Sequence, residues 1–278
     1  MKSISCAQSL RRALFTALLL VVSQLSTQAS LLTAGVNLGY ADTTPNNRWA
    51  VFTLGSAPGD VNTMSSGALI MGDVGFAGSG KSNLSGTGTI RGQAVSSSTG
   101  TMLKSSTFGI TGGTNNSRDT DLATGVANAY AASSAAFALT STAGYPTTIN
   151  QNTSLTLNDT TGGNVVLHLT DFVLYGSAAL TLQGTAATTY IINVTNKFSL
   201  SGSSVVLLGG VKVENVLFNV VGAGVDPTMS GSAVLNGTLM AVNRTMKMSG
   251  SATVYGEVIA NKVALSGVSS VRRPPISP

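Results

Sequence analysis

One phrase, written four times, limits what this chain can become. Met248–Ala260 reads MSGSATVYGEVIA and Met229–Ala241 reads MSGSAVLNGTLMA, and the two start 19 residues apart. Upstream, MSSGALIMGDV begins at Met64 and LSGTGTIRGQAV at Leu84, 20 residues apart. In each copy the serine stands seven positions before a glycine: Ser65 and Gly72, Ser85 and Gly92, Ser230 and Gly237, Ser249 and Gly256. Partial copies begin at Leu200 and Leu265. A period near 20 with short apolar runs and glycine corners is the pattern of a solenoid, in which one coil cannot bury its inner face and stacked coils can. Each copy holds one or two short strands that alternate apolar with small or polar residues, such as Ala252–Tyr255 and Glu257–Ala260. A twisted β-sandwich would share the alternation but has no reason for the fixed period.

Composition agrees with stacking. Only 9% of the 278 residues are charged, while 43% are apolar. Like positions stacked ~4.8 Å apart would set like charges against each other, so a low charge content follows. The same numbers exclude a disordered polymer, and the single Cys6 excludes a disulfide scaffold.

One stretch breaks the β pattern. From Asp119 to Thr140 the chain is Ala-rich, with Leu122, Val126, Tyr130 and Phe137 at helical spacing. A helix over about 119–140 is expected, capped by Ser117 and Asp119 and closed by Gly144 and Pro146. Strands resume from Leu155. The expected fold is a mainly β solenoid, residues 48–271, with one long helix packed alongside and the coils before and after it stacked on one another. Trp49 and Phe52 are expected to plug one end of the core.

The ends speak to compartment. Lys2, Arg11 and Arg12, the apolar run Ala13–Val22 and the small-residue site Thr27–Ala29 read as a cleaved export signal over Met1–Ala29. The run is far short of the ~20 apolar residues that span a membrane. Residues 30–47 read as a linker and 272–278 as a tail. Cleavage removes Cys6 and takes three of fifteen basic residues, leaving twelve against ten acidic. With a net charge near +2 and no basic stripe interleaved with aromatics, a nucleic-acid partner is excluded. The mature chain is expected to be extracellular or at the cell surface, without a transmembrane segment.

Several features of the chain occur in a familiar order. They are the export signal, Gly72–Gly80 followed by Leu84–Ile90, the Ala-rich helix, Tyr190–Val194, Phe198–Gly202, Asn215–Gly222 and Thr238–Ala241. This order resembles the bacterial choice-of-anchor A family, an adhesive domain of exported proteins, over roughly residues 48–271. The resemblance implies a surface or matrix protein without enzymatic activity. The sorting segment with which members of that family commonly end is not seen here. The order of coils, helix and coils also resembles, more weakly, the secreted bacterial ice-binding solenoids.

Motifs that invite chemistry are weak beside this. Gly75–Ser82 fits the phosphate-loop pattern G-x4-G-K-S, but such a loop needs a helix starting at Lys81, and the following residues, Asn83–Gly92, read as strand and turn. His168 is the one histidine; with Asp171 and a serine it would supply a triad, yet no G-x-S-x-G elbow accompanies it. One His and no mature Cys cannot close a zinc site. The acids Asp42, Asp60, Asp73, Asp159, Asp171, Glu214, Asp226 and Glu257 show neither carboxylate-pair nor calcium-loop spacing. The sequence therefore assigns no catalytic, cofactor or metal residue, and the binding residues stay open. The expected role is adhesive, through an extended polar strand face toward a surface, polysaccharide or matrix ligand. The alternative is ice binding, by ranks of hydroxyls in Thr147–Thr156 and Thr185–Thr189. Against ice stands the position after each repeat glycine, held by Asp73, Gln93, Thr238 and Glu257, which would charge that face if stacked.

Overall fold

The computed structural model describes residues 49–55 and 57–273. The export signal Met1–Ala29, the linker 30–47 and most of the tail lie outside the described residues. The described chain is a β-solenoid of three faces with one α-helix laid along the third, and 51% of it is strand.

All strand pairing is parallel and nearly in register, which defines nine rungs. From rung one to rung nine, the first face is built by Ile149–Gln151, 172–175, 198–201, Thr228–Ser230, 245–248, 262–265, Val61–Met64, Lys81–Leu84 and Thr101–Lys104. The second face runs from Leu155–Asn158 through 179–183, 204–208, 234–236, 253–255 and Ser270–Arg272 to Leu69–Met71, Thr89–Ile90 and Gly109–Ile110. The third face runs from 164–169 through 189–194, Val216–Val220, 238–241 and 257–260 to Trp49–Thr53, Asp73–Phe76, Ala94–Ser96 and Thr114–Asn115.

The stack is not built in chain order. After the strand Trp49–Thr53 the chain builds rungs seven to nine, and the helix Asp119–Ala138 then carries it back to rung one. Rungs one to five follow, and rung six joins the two ends: its first and second faces come from 262–272 and its third from Trp49–Thr53. Val254 lies directly on Leu235, as stacking of the repeats requires.

Alternation directs every second side chain inward, where Leu, Val, Ile and Met fill one continuous column. Phe172, Phe198 and Phe218 stack within it, with ring centroids 5.2–5.7 Å apart. At the corner between the second and third faces, Gly237 and Gly256 hold φ of +139° and +146°, a region closed to residues with a Cβ. A Cβ on Gly256 would lie 2.0 Å from the Gly237 carbonyl oxygen, so the repeat glycine exists to let successive backbones touch.

The helix forms where expected, but it turns a different side to the sheet. Leu122, Ala129, Ala132, Ser133 and Ala136 are buried, whereas Tyr130 and Phe137 are each 43% exposed. Close approach selects small residues: a Cβ at Gly125 would meet the Phe52 ring at 2.7 Å. The helix start carries no side-chain cap; Asp119 instead accepts from the Ser98 amide, and Ser117 donates to Asn115. Trp49 and Phe52 do not plug an end. They stack on each other beneath the helix in rung six, because the strand that carries them enters mid-stack.

Candidate binding faces

The helix covers the third face and leaves the first and second faces open. A second apolar layer of Val166, Ile191, Leu217, Met240 and Ile259 lies between sheet and helix. The amide side chains in this layer are bonded to one another and to the helix. Asn219 donates to the Ser133 carbonyl at 2.9 Å and to Asn193 Oδ1 at 2.8 Å, and accepts from the Ser133 hydroxyl at 2.8 Å. Asn193 donates to the Ala136 carbonyl at 2.9 Å, and His168 Nε2 lies 2.9 Å from the Leu139 carbonyl. The lone histidine thus holds the helix C-terminus to rung one. Asp171 lies apart from it, accepting from Asn196 and from the Lys197 amide.

Gly75–Ser82 turns a corner from a third-face strand into the first-face strand Lys81–Leu84. The Ala77 and Lys81 amides that flank the corner donate to the Thr53 and Asp60 carbonyls, and Lys81 opens a strand where a phosphate loop would open a helix. Among the described residues no three His, Cys, Asp or Glu side chains gather around a potential metal position. No helix there is long and apolar enough to cross a membrane.

The open faces carry side chains in columns at the ~4.8 Å rung spacing. On the second face one outward column runs Ala179, Ser204, Val234, Thr253, Ser270, Leu69, Thr89, Gly109. Its neighbour runs Thr156, Thr181, Val206, Asn236, Tyr255, Arg272, Met71, and Arg91 follows on the next rung. Hydroxyls bond along the stack, as Thr253 does with Ser270 at 3.0 Å. The first face carries Ser199, Thr228, Lys247, Ala264, Thr63 and Asn83 in one column. Lys247 pairs with Asp226 at 3.0 Å and Lys262 with Asp60 at 3.0 Å. Seven serines line the corner between the faces on rungs three to nine: Ser201, Ser230, Ser249, Ser266, Ser65, Ser85 and Ser105.

Two sequence expectations about these faces fail. The residues after the repeat glycines do stack, Thr238 on Glu257 for one, but they lie at the helix side of the corner, where Thr238 and Glu257 are buried. They charge no open face. The Thr-rich segments do not make a face either: Thr147 bonds the edge of rung one, and 185–188 form a turn closed by the buried Thr188. Of the hydroxyls in those segments, Thr156 reaches the second face.

A residue overlooked in the sequence organises the corner between the third and first faces. Arg244 is 3% exposed and bonds only backbone oxygens. Its Nε donates to Gly222 at 3.0 Å, its Nη1 to Asn196 at 2.5 Å and Val225 at 2.9 Å, and its Nη2 to Thr195 at 2.6 Å and to Val221. Beside it, a groove of about 300 Å³ opens between the helix and the sheet edge, lined by Tyr130, Phe137, Val221 and Val242 among others.

The sequence signature of the family described as "Putative Ice-binding-like adhesive domain" matches residues 22–270. The chain belongs to this family. Solved structures of the same fold include the glycosylated ice-binding protein of an Arctic yeast, at 16% identity and TM-score 0.56, covering 87% of this chain and 96% of that one. An ice-binding protein from an Antarctic Flavobacteriaceae bacterium matches at 17% and 0.55, covering 90% of this chain and 49% of that one. The Shewanella frigidimarina ice-binding domain matches at 14% and 0.53, covering 83% and 96%. At these identities the likeness is one of fold. No curated protein matches the chain.

Proposed function

We propose that this member of the ice-binding-like adhesive family is an exported, non-enzymatic adhesive module that lies along an extended polar surface, a polysaccharide or matrix polymer, through its second face. The observation that supports this is the outward column Asn236, Tyr255, Arg272, Met71 and Arg91. Over five successive rungs it sets an amide, an aromatic ring and two guanidinium groups beside a column that carries the hydroxyls of Thr253, Ser270 and Thr89. Amides and guanidinium groups bond sugar hydroxyls and carboxylates, and a ring stacks on a sugar face. Export rests on the signal at Met1–Ala29. The absence of catalysis fits the placement of His168 under the helix and of Lys81 on a strand.

The test is co-sedimentation of the secreted chain with insoluble polysaccharides and with collagen. A triple variant, Tyr255→Ala, Arg272→Ala and Arg91→Ala, is expected to bind at least tenfold more weakly than the parent. Unchanged binding by the variant, or no binding of the parent to any of these, would overturn the proposal.

Ice binding is the second reading, favoured by the ice-binding proteins that share the fold. A lattice-matching face needs side chains of even reach, and Arg91, Arg272 and Tyr255 stand beyond their hydroxyl neighbours on the second face. Thermal hysteresis by the parent chain would support ice binding; none at high concentration would dismiss it.

A further inference from the structure

The two ends of the stack are finished differently. At rung one, residues 141–147 bond the outer edge: the Thr142 amide donates to the Val166 carbonyl at 2.8 Å, Thr170 to Thr147 at 2.9 Å, and Tyr145 Oη to Asn158 at 3.0 Å. No described residue covers rung nine. There the amides of Thr101 and Ser105 donate inward to Gly80 and Leu84, and those of Gly109 and Thr111 to Gly88 and Ile90. In a parallel ladder alternate residues point opposite ways, so Met102, Lys104 and Ile110 turn their N–H and C=O groups to the open end. An open edge beside partly buried Met102 and Ile110 and exposed Leu103 is a template for another chain.

One residue on this rung breaks the pattern of the core. The column Leu174, Leu200, Met229, Met248, Leu265, Met64, Leu84 is buried and apolar on rungs two to eight. Its next member is Lys104, in register with Leu84. The ammonium does not turn outward to solvent alone. It donates to the Ser105 carbonyl at 3.1 Å and the Phe108 carbonyl at 2.9 Å, folding across the end of the core.

We infer that rung nine is a docking edge for a second copy of this chain and that Lys104 opposes that docking. The partner is a second copy because rung one is roofed: an open end meets only another open end, giving a two-fold, self-complementary junction in which the rung-nine strands of the two copies pair antiparallel. Docking would bury two Lys104 ammonium groups near each other in an apolar seam, a geometry opposed by both desolvation and repulsion. An inward-pointing charge on an edge strand is a known guard against such pairing. This inference is independent of what the second face binds.

Analytical ultracentrifugation of the purified chain at ~1–100 μM tests it, with thermal melts to confirm folding. The parent and Lys104→Arg are expected to sediment as monomers, and Lys104→Met at twice the monomer mass at the upper concentrations. Lys104→Gln, which removes the charge but keeps polarity, is a second arm should the Met variant fold poorly; it is expected to dimerise more weakly. Adding Met102→Pro to Lys104→Met deletes an outward amide and no inward bond, and should restore the monomer. Folded, monomeric Met and Gln variants would overturn the inference. So would a parent that is already dimeric, or a dimer that survives Met102→Pro.

Discussion

Arg244→Met is the sharpest test of how the corner between the third and first faces is held. The substitution keeps much of the aliphatic stem and removes five hydrogen bonds at once, orphaning the carbonyls of Thr195, Asn196, Val221, Gly222 and Val225. Hydrogen bonds from a charged donor contribute ~1.5–3 kcal/mol each where water cannot replace them. Four of these residues, Thr195, Asn196, Gly222 and Val225, are exposed, so water will re-bond part of the set. A discounted value near 1 kcal/mol per carbonyl puts the loss at about 3–5 kcal/mol. Arg244→Lys, with three donors on a point charge, should lose about half as much. Urea denaturation followed through Trp49, the one tryptophan, reads the change as a shift in midpoint at constant slope. A loss below about 1 kcal/mol for Arg244→Met would refute the view that this guanidinium, not side-chain packing, fixes the corner.

Three further outcomes follow from the geometry. Gly256→Ala forces a Cβ against the Gly237 carbonyl at a φ of +146° and should cost at least ~3 kcal/mol in the same assay, or abolish soluble expression. Asn219→Ala leaves Ser133 without its side-chain partner and Asn193 Oδ1 without a donor; a loss of ~2 kcal/mol and faster hydrogen exchange across 119–138 are expected. Burial pushes the Glu257 carboxyl up to about 8, with Arg273 opposing. The unfolded chain releases that proton near its ordinary 4.5 and the folded chain near 8, so the folded state holds more protons between the two. Stability should then be full below about 4.5, fall as pH rises and level off above 8, and Glu257→Gln should flatten that slope; parallel pH curves for parent and variant would contradict it.

The repeat phrase carried the stacking into view because every copy must present the same inward residues and the same corner glycine, and those constraints are local. The order of the rungs was less visible. Rung six joins Trp49–Thr53 to residues more than 200 positions away, and nothing in the local pattern of an entering strand says whether it begins a stack or completes one. This is why Trp49 and Phe52 read as an end plug and proved to be a mid-stack contact. Helical periodicity found the helix but chose its large residues as the buried face, whereas close packing on a sheet selects Ala, Ser and Gly. Arg244 left no signal, because a guanidinium bonded to backbone oxygens needs no partner side chain that a sequence could show.

Adhesion and ice recognition ask different things of the same scaffold. The solenoid supplies both with a periodic face whose columns are set by the rungs, and the choice between them lies in side-chain reach along one column. On the second face that column passes from Thr156 and Thr181 to Tyr255, Arg272, Met71 and Arg91, so its two halves differ in reach. A crystal plane meets both halves at one height and gains little from the longer side chains. A flexible polymer chain bends to each in turn and can use the ring, the guanidinium groups and the hydroxyls together. That difference in compliance of the partner is the ground on which a polymer is proposed, and it makes the triple variant informative in both assays.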